Sequence, residues 1–336
     1  MKKTVLIILF SFFYSFLFSN YNKKISEYNL YVGNPKDLVT SPEFITYELI
    51  TPLFTDYAYK HRAIFIPEGE KIIYKEKEVL EFPIGTIISK TFYYPSDFNK
   101  SNSDINLMET RILIHENSGW VALPYIWDEE QKEAYLEITG GNKNAFWIDK
   151  NNNYQSIDYI IPNMNQCKGC HVNSGFLKPI GPTARQLNRN DNKNKNQLLF
   201  WQELGIIENL PDYDLIPKIA KWNDSKLYNV NDRARAWLDI NCAHCHNVNG
   251  PANNTGLFLD FYETNLKSLG VYKTPVAAGR GSGHLKYDIV PGKPDESILV
   301  YRFESTDPGI MMPELGRSMV HREGLDLIKE WIQNLD

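Results

Sequence analysis

From residue 40 to about 160 the apolar residues fall in short runs rich in Ile, Val, Tyr, Phe and Thr, at 62–67, 71–75, 79–82, 86–94, 107–115, 120–127 and 134–139. Turn-forming clusters separate them, among them Pro67-Glu68-Gly69-Glu70, Pro95-Ser96-Asp97 and Gly140-Gly141-Asn142. Short strands with polar breaks predict an antiparallel sandwich or barrel. Beyond 160 the period changes. Ala234, Trp237 and Leu238 recur at helical spacing with Asp232 placed to cap the helix, and Leu325, Ile328, Trp331 and Ile332 form a second one-sided stripe. Residues 196–204 and 295–303 read as two further helices, and 188–196 as an almost wholly polar loop. The predicted class is α+β, with a β-rich, sandwich- or barrel-like domain first and α-helical units after it.

A chain of 336 residues has room for two or three domains, and the pattern divides it at 40–160, 161–222 and 223–336. Residues 1–20 stand apart. Lys2 and Lys3 precede an almost unbroken apolar run from Val5 to Phe18, and Ser19 and Asn20 follow it. That is the layout of a secretory signal peptide, and it predicts a periplasmic protein. The run is short of the about 20 residues that span a bilayer. Leu17 stands where a small residue is usual before cleavage, so an uncleaved signal anchor is the alternative. No other membrane span is expected.

The four cysteines form two pairs, Cys167-Lys168-Gly169-Cys170 and Cys242-Ala243-His244-Cys245, each followed at once by a histidine, His171 and His246. Two thiols three positions apart on a helical turn can both reach the vinyl groups of one haem. The next residue can then present its imidazole to the iron. A redox dithiol, a four-thiolate zinc site and ordinary disulfides are the competing readings. None of them explains a histidine at the same place after both pairs. The expectation is two covalently bound haem c groups, held by Cys167, Cys170, Cys242 and Cys245, with His171 and His246 as proximal iron ligands. Residues 223–336, with a helix at each end, then read as a class I cytochrome c-like domain. The short block at 161–222 would place the first haem partly against the β-rich domain.

A second ligand for the iron at His246 is offered by Gly309-Ile310-Met311-Met312-Pro313. A thioether is a soft ligand that raises the reduction potential. Met312, directly before Pro, is the expected ligand, with Met311 the alternative and Met319 a weaker third choice. For the iron at His171 the residues leave the choice open among Met108, His61, His115 and His284, with Met164 too close in sequence. His244 is expected simply to face solvent. Gly279-Arg280-Gly281-Ser282-Gly283 lacks the flanking strand and helix of a phosphate loop, and Arg280 is read as a possible propionate contact. No catalytic residue is named.

The net charge of −5 argues against nucleic acid and suggests a redox partner protein with a basic docking face. Several segments together resemble a bacterial family of di-haem c-type cytochromes often encoded beside a parallel β-helix repeat protein. They are residues 52–58, Glu109-Thr110-Arg111, residues 165–171, Pro179-Ile180-Gly181-Pro182, residues 241–246, residues 278–283 and residues 311–317. The resemblance implies two haems and export without a defined substrate. A more distant likeness to di-haem cytochrome c peroxidases is weakened here by the long β-rich segment that precedes the first motif. The expected function is electron transfer; the alternative is a peroxidase-like oxidoreductase with an open coordination position at the first haem.

Overall fold

The computed structural model describes residues 21–191, 194–276 and 278–336; the signal segment expected at 1–20 lies outside them. Nine strands precede the first cysteine: β1 (Ile45–Thr46), β2 (Tyr59–Phe65), β3 (Ile72–Ile73), β4 (Ile87–Pro95), β5 (Ile105–Glu116), β6 (Gly119–Trp127), β7 (Ala134–Leu136), β8 (Gly141–Ile148) and β9 (Tyr154–Ile161). Six of them form one antiparallel sheet in the order β1-β2-β4-β5-β6-β7. The sheet is open, with β1 and β7 at its edges, so the expected barrel does not close. Nor is there, among the described residues, a second sheet of comparable size to complete a sandwich. β8 and β9 pair with each other as a hairpin, which a single bridge between Ile148 and Asp97 joins to the segment after β4. That hairpin was not among the expected runs, because polar residues such as Asn142, Asn144 and Asp158 interrupt its apolar positions.

Side-chain alternation gives the sheet two apolar faces. One packs Ala63, Leu107, Ile112, Leu123, Tyr125 and Trp127 against Ile25, Leu30 and Phe44 of the irregular N-terminal segment. The opposite face carries Ile64, Ile88, Leu113 and Ala122, which share a core with Cys167, Leu187 and Trp201. Further along, the same face joins Phe92 and Tyr94 to Trp147, Tyr159 and Ile161 of the hairpin. The layer that would be a second sheet in a sandwich is thus supplied by the hairpin and by helices.

Those helices are α1 (Met164–His171), α2 (Ala184–Leu187), α3 (Gln197–Glu203), α4 (Val230–Asn241), α5 (Ile298–Glu304) and α6 (Arg322–Gln333). α4 and α6 bury Ala234, Trp237 and Leu238 against Leu325, Ile328, Trp331 and Ile332 in a separate core. Asp232 is not the cap of α4. Asn229 is, its side chain accepting from the Asp232 N–H at 2.9 Å, with Asp232 inside the first turn. Residues 79–82 form isolated bridges rather than a strand, Val79 meeting Thr183. Two short strands, β10 (Val172–Asn173) and β11 (Phe176–Leu177), turn the chain back after α1, and β12 (Ile207–Glu208) pairs parallel with β3.

The segment at 51–58 ties the sheet to the C-terminal helices. Thr51 Oγ1 donates to Ala220 O at 2.8 Å and Phe54 N to Asn241 Oδ1 at 2.8 Å. The Asp56 carboxylate accepts from the N–H groups of Ser318 and Met319 at 2.8 and 2.7 Å. Among the described residues no helix is long and apolar enough to cross a membrane.

Candidate functional site

α1 begins in a reciprocal cap. Asn163 Oδ1 accepts from Gln166 N and Gln166 Oε1 accepts from Asn163 N, both at 2.9 Å, which fixes the turn that carries Cys167. Cys167 is buried in the sheet-facing core. One turn later Cys170 and His171 end the helix, and the β10–β11 hairpin brings Lys178 back over the ring. Lys178 O lies 2.7 Å from His171 Nδ1, and Lys178 N donates to His171 O at 2.8 Å. A ring whose Nδ1–H is spent on a carbonyl keeps Nε2 as its lone-pair donor. Burial pushes His171 down to about 3, so the imidazole is neutral.

The second cysteine pair follows α4 in a turn closed by Cys242 N to Leu238 O at 2.9 Å and His246 N to Cys242 O at 2.9 Å. Cys242, Cys245 and His246 line a cavity of about 600 Å³ whose lining also contains Met312 and Pro313. Burial lowers His246 to about 4 and raises the Cys242 thiol to about 12. Among the described residues no hydrogen bond of ordinary geometry reaches the buried His246 Nδ1, although the Leu257 backbone pulls the ring's pKa upward against burial.

Of the candidate sulfurs, Met312 lines this cavity. Met311 is buried outside its lining, and Met319 packs toward the cluster beneath the β8–β9 hairpin. The loop that presents Met312 is pinned by Arg317, which sequence reasoning passed over. Arg317 is buried, and its guanidinium donates to the carbonyls of Met312 at 2.9 Å, Phe303 at 3.1 Å and Ser305 at 2.9 Å, with longer bonds to Arg302 and Met319. Arg280 stands on the surface, paired with Asp307 at 3.3 Å. The cations in the cavity wall are instead Lys273, ion-paired to Asp288 at 3.1 Å, and Arg302, whose Nε donates to Ile310 O at 2.8 Å. Neither residue type nor local pattern marks these two out in the sequence.

The two cysteine segments meet. One ligand atom each from Cys170, His244 and Cys245 lies within 4.8 Å of the others. His244 therefore faces the first segment, where the sequence had suggested solvent. Its position inside the second pair points it toward whatever packs there, and Cys170 does. Ser174 N also donates to Asn249 O at 2.9 Å, joining the loops that follow the two histidines.

The residues considered for the first site are dispersed. Met108 is fully buried with Phe92 and Tyr94, and His61 lies on the other face of the sheet beside Tyr31. His115 stacks on Trp120 with Nδ1 2.9 Å from Phe82 O, and His284 is exposed. The charged sheet groups whose fields reach Cys167 are Arg111, Glu109 and Lys90, and those that reach His171 are Lys90 and Arg111. No family model, curated protein or solved structure matches the chain.

Proposed function

We propose that the chain carries one covalently attached haem c at each Cys-x-x-Cys-His segment and serves as an exported electron-transfer protein. The observation that carries this reading is the junction of Cys170, His244 and Cys245 within 4.8 Å. It brings the second cysteine of one segment against the second cysteine of the other. Two attached groups would share that border, which suits a relay.

The donor sets fit the group. Cys167 and Cys170, and likewise Cys242 and Cys245, supply paired thiols for thioether bonds, and His171 and His246 supply neutral imidazoles. The hydrogen bond from His171 Nδ1 to Lys178 O is the kind that orients an iron-bound ring. The cavity at Cys242 holds thiols, imidazole and the Met312 thioether on one set of walls. A lone zinc at Cys170, His244 and Cys245 would leave Cys167, Cys242 and both flanking histidines without a role. Haem, when bound, supplies a one-electron ferrous–ferric couple tuned by axial ligand, burial and charge. The chain's residues exclude water, hold the rings neutral and set the local charge. The motif resemblance to bacterial di-haem cytochromes supports the same reading, as does the leader expected at 1–20. The partner would be a redox protein with a basic face, because the chain is acidic.

A second reading, an oxidoreductase with an open position at the first iron, is favoured by the cations near His171, which suit a small anionic substrate. Haem and zinc analysis, followed by optical and EPR spectra with and without carbon monoxide, separates the readings. Two haems per chain, both low-spin and indifferent to carbon monoxide, are expected. One high-spin haem that binds carbon monoxide would favour the oxidoreductase, and zinc without haem would overturn both.

A further inference from the structure

One row on the sheet face that meets α1 carries more positive charge than its neighbours neutralise. Arg62 of β2 lies directly opposite Lys90 of β4, and Lys90 directly opposite Arg111 of β5. Lys60, two residues before Arg62, points to the same face and sits opposite Phe92. Like charges paired across strands repel, and a buried charge without a partner is costly. Arg62 is buried, and Lys60, Lys90 and Arg111 are half-buried. Ile64, Ile88 and Leu113 bound the row on one side, and Phe92 with Tyr94 on the other.

Three of the four cations are answered. Arg111 donates to the fully buried Glu109 through two bonds of 2.8 and 2.5 Å. Arg62 reaches Glu48 at 3.4 Å. Lys60 Nζ donates to Ala58 O at 2.8 Å and feels the field of Asp56. Lys90 has neither a hydrogen bond nor an ion pair among the described residues. Its ammonium lies 5.2 Å from the Phe92 ring, which Lys60 and Arg111 already share. Burial, then the nearby Arg111 and Arg62, lower it to about 7. In its charged form Lys90 has no counter-ion of its own, since the nearby Glu109 is taken up by Arg111, and its field reaches His171 and Cys167.

We propose that Lys90, flanked by Arg62 and Arg111, binds one carboxylate-class oxyanion beside the first cysteine segment. A single negative group there turns a row of like charges into an alternating one. Because the Arg111 fork is occupied by Glu109, Lys90 supplies the donors and the two guanidiniums supply field. On the haem reading, on which this arm rests, the carboxylate is a propionate of the first haem. A free small oxyanion offers the same chemistry.

The test compares the purified full chain with Lys90→Gln after measuring haem content. Loss of an unanswered charge relieves repulsion, so the variant should fold; Lys90→Met serves if it does not. Melting is followed in sodium formate against sodium chloride at equal ionic strength. If a free oxyanion uses the site, formate raises the wild-type Tm saturably and Lys90→Gln loses that shift. If a propionate fills it, formate has no effect, while Lys90→Gln lowers the reduction potential of one haem and leaves the other in place. Absence of both effects overturns the site. So does conversion of the first haem from low to high spin in Lys90→Gln, since the amine would then be an iron ligand. Protein purified without haem would sink the electron-transfer reading alone, and the formate arm would still decide the anion site.

Discussion

Arg185 and Asp239 form a buried two-pronged ion pair, Nε to Oδ2 and Nη2 to Oδ1 both at 3.0 Å, that joins the short helix after the first cysteine segment to the helix before the second. The pair is fully used. Arg185 Nη1 also donates to Lys77 O at 2.7 Å, and Asp239 Oδ1 accepts from Phe261 N at 2.9 Å. Removing one partner leaves a buried charge behind, which typically costs about 3–5 kcal/mol. Arg185→Ala should therefore lower the unfolding free energy obtained from urea titration by that amount. Arg185→Lys should recover only part of it, since an ammonium cannot reproduce the fork. The paired replacement Arg185→Met with Asp239→Leu should sit much closer to wild type. A double variant as unstable as Arg185→Ala would contradict the assignment of the cost to the stranded Asp239.

Met312 and Met311 are adjacent in sequence, yet one lines the cavity at His246 and the other is buried away from it. On the proposed haem reading, Met312→Ala should abolish a thioether-to-iron band at the red end of the ferric spectrum, and Met311→Ala should keep it. Survival of the band in Met312→Ala with its loss in Met311→Ala would reverse the choice.

Arg317 holds that loop without touching the cavity. Its guanidinium satisfies carbonyls on both sides of Met312, and each bond from a charged donor is worth about 1.5–3 kcal/mol. Arg317→Ala should lower the melting temperature and leave a fraction of molecules without the thioether band even when haem content is unchanged. A melting loss with a band of full intensity would show that Arg317 supports the fold but not the position of Met312.

The helices that bracket the second site were legible because their stripes are amphipathic and pack on each other: Trp237 and Leu238 face Ile328 and Trp331. The cysteine spacings stand in the sequence itself, and the fold brings the two segments together at Cys170, His244 and Cys245. What could not be read was long-range. One face of the sheet is covered by helices and the β8–β9 hairpin and the other by the N-terminal segment at 25–44, and period-two patterning cannot distinguish such cover from a second sheet. Asn229 capped α4 in place of Asp232 because both residue types cap well and lie three positions apart. The row of Arg62, Lys90 and Arg111 depends on the register of three strands. In the linear sequence each is an ordinary cation in a polar-apolar run.

His321 links pH to stability. Its Nδ1 accepts from Trp237 Nε1 at 3.0 Å, and its ring stacks on Phe54 with centroids 4.3 Å apart. A proton on Nδ1 would oppose the indole N–H, and burial already lowers His321 to about 4, against the opposing pull of Glu323 3.7 Å away. The folded state therefore refuses a proton that the unfolded chain accepts near 6.5. Above pH 6.5 both states are neutral and the contribution to stability is complete. As pH falls from about 6.5 toward 4 the unfolded chain gains a proton alone, and stability drops by up to about 1.4 kcal/mol per pH unit. Below about 4 the loss levels off. His321→Gln keeps a carbonyl for the Trp237 N–H but has no proton to refuse. Urea titrations at pH 7.5, 5.5 and 4.5 should show wild type losing more stability than His321→Gln across that window. The difference between the two proteins isolates His321 from His61, whose lowered pKa also contributes a slope. Parallel losses in both proteins would assign the acid sensitivity to other groups.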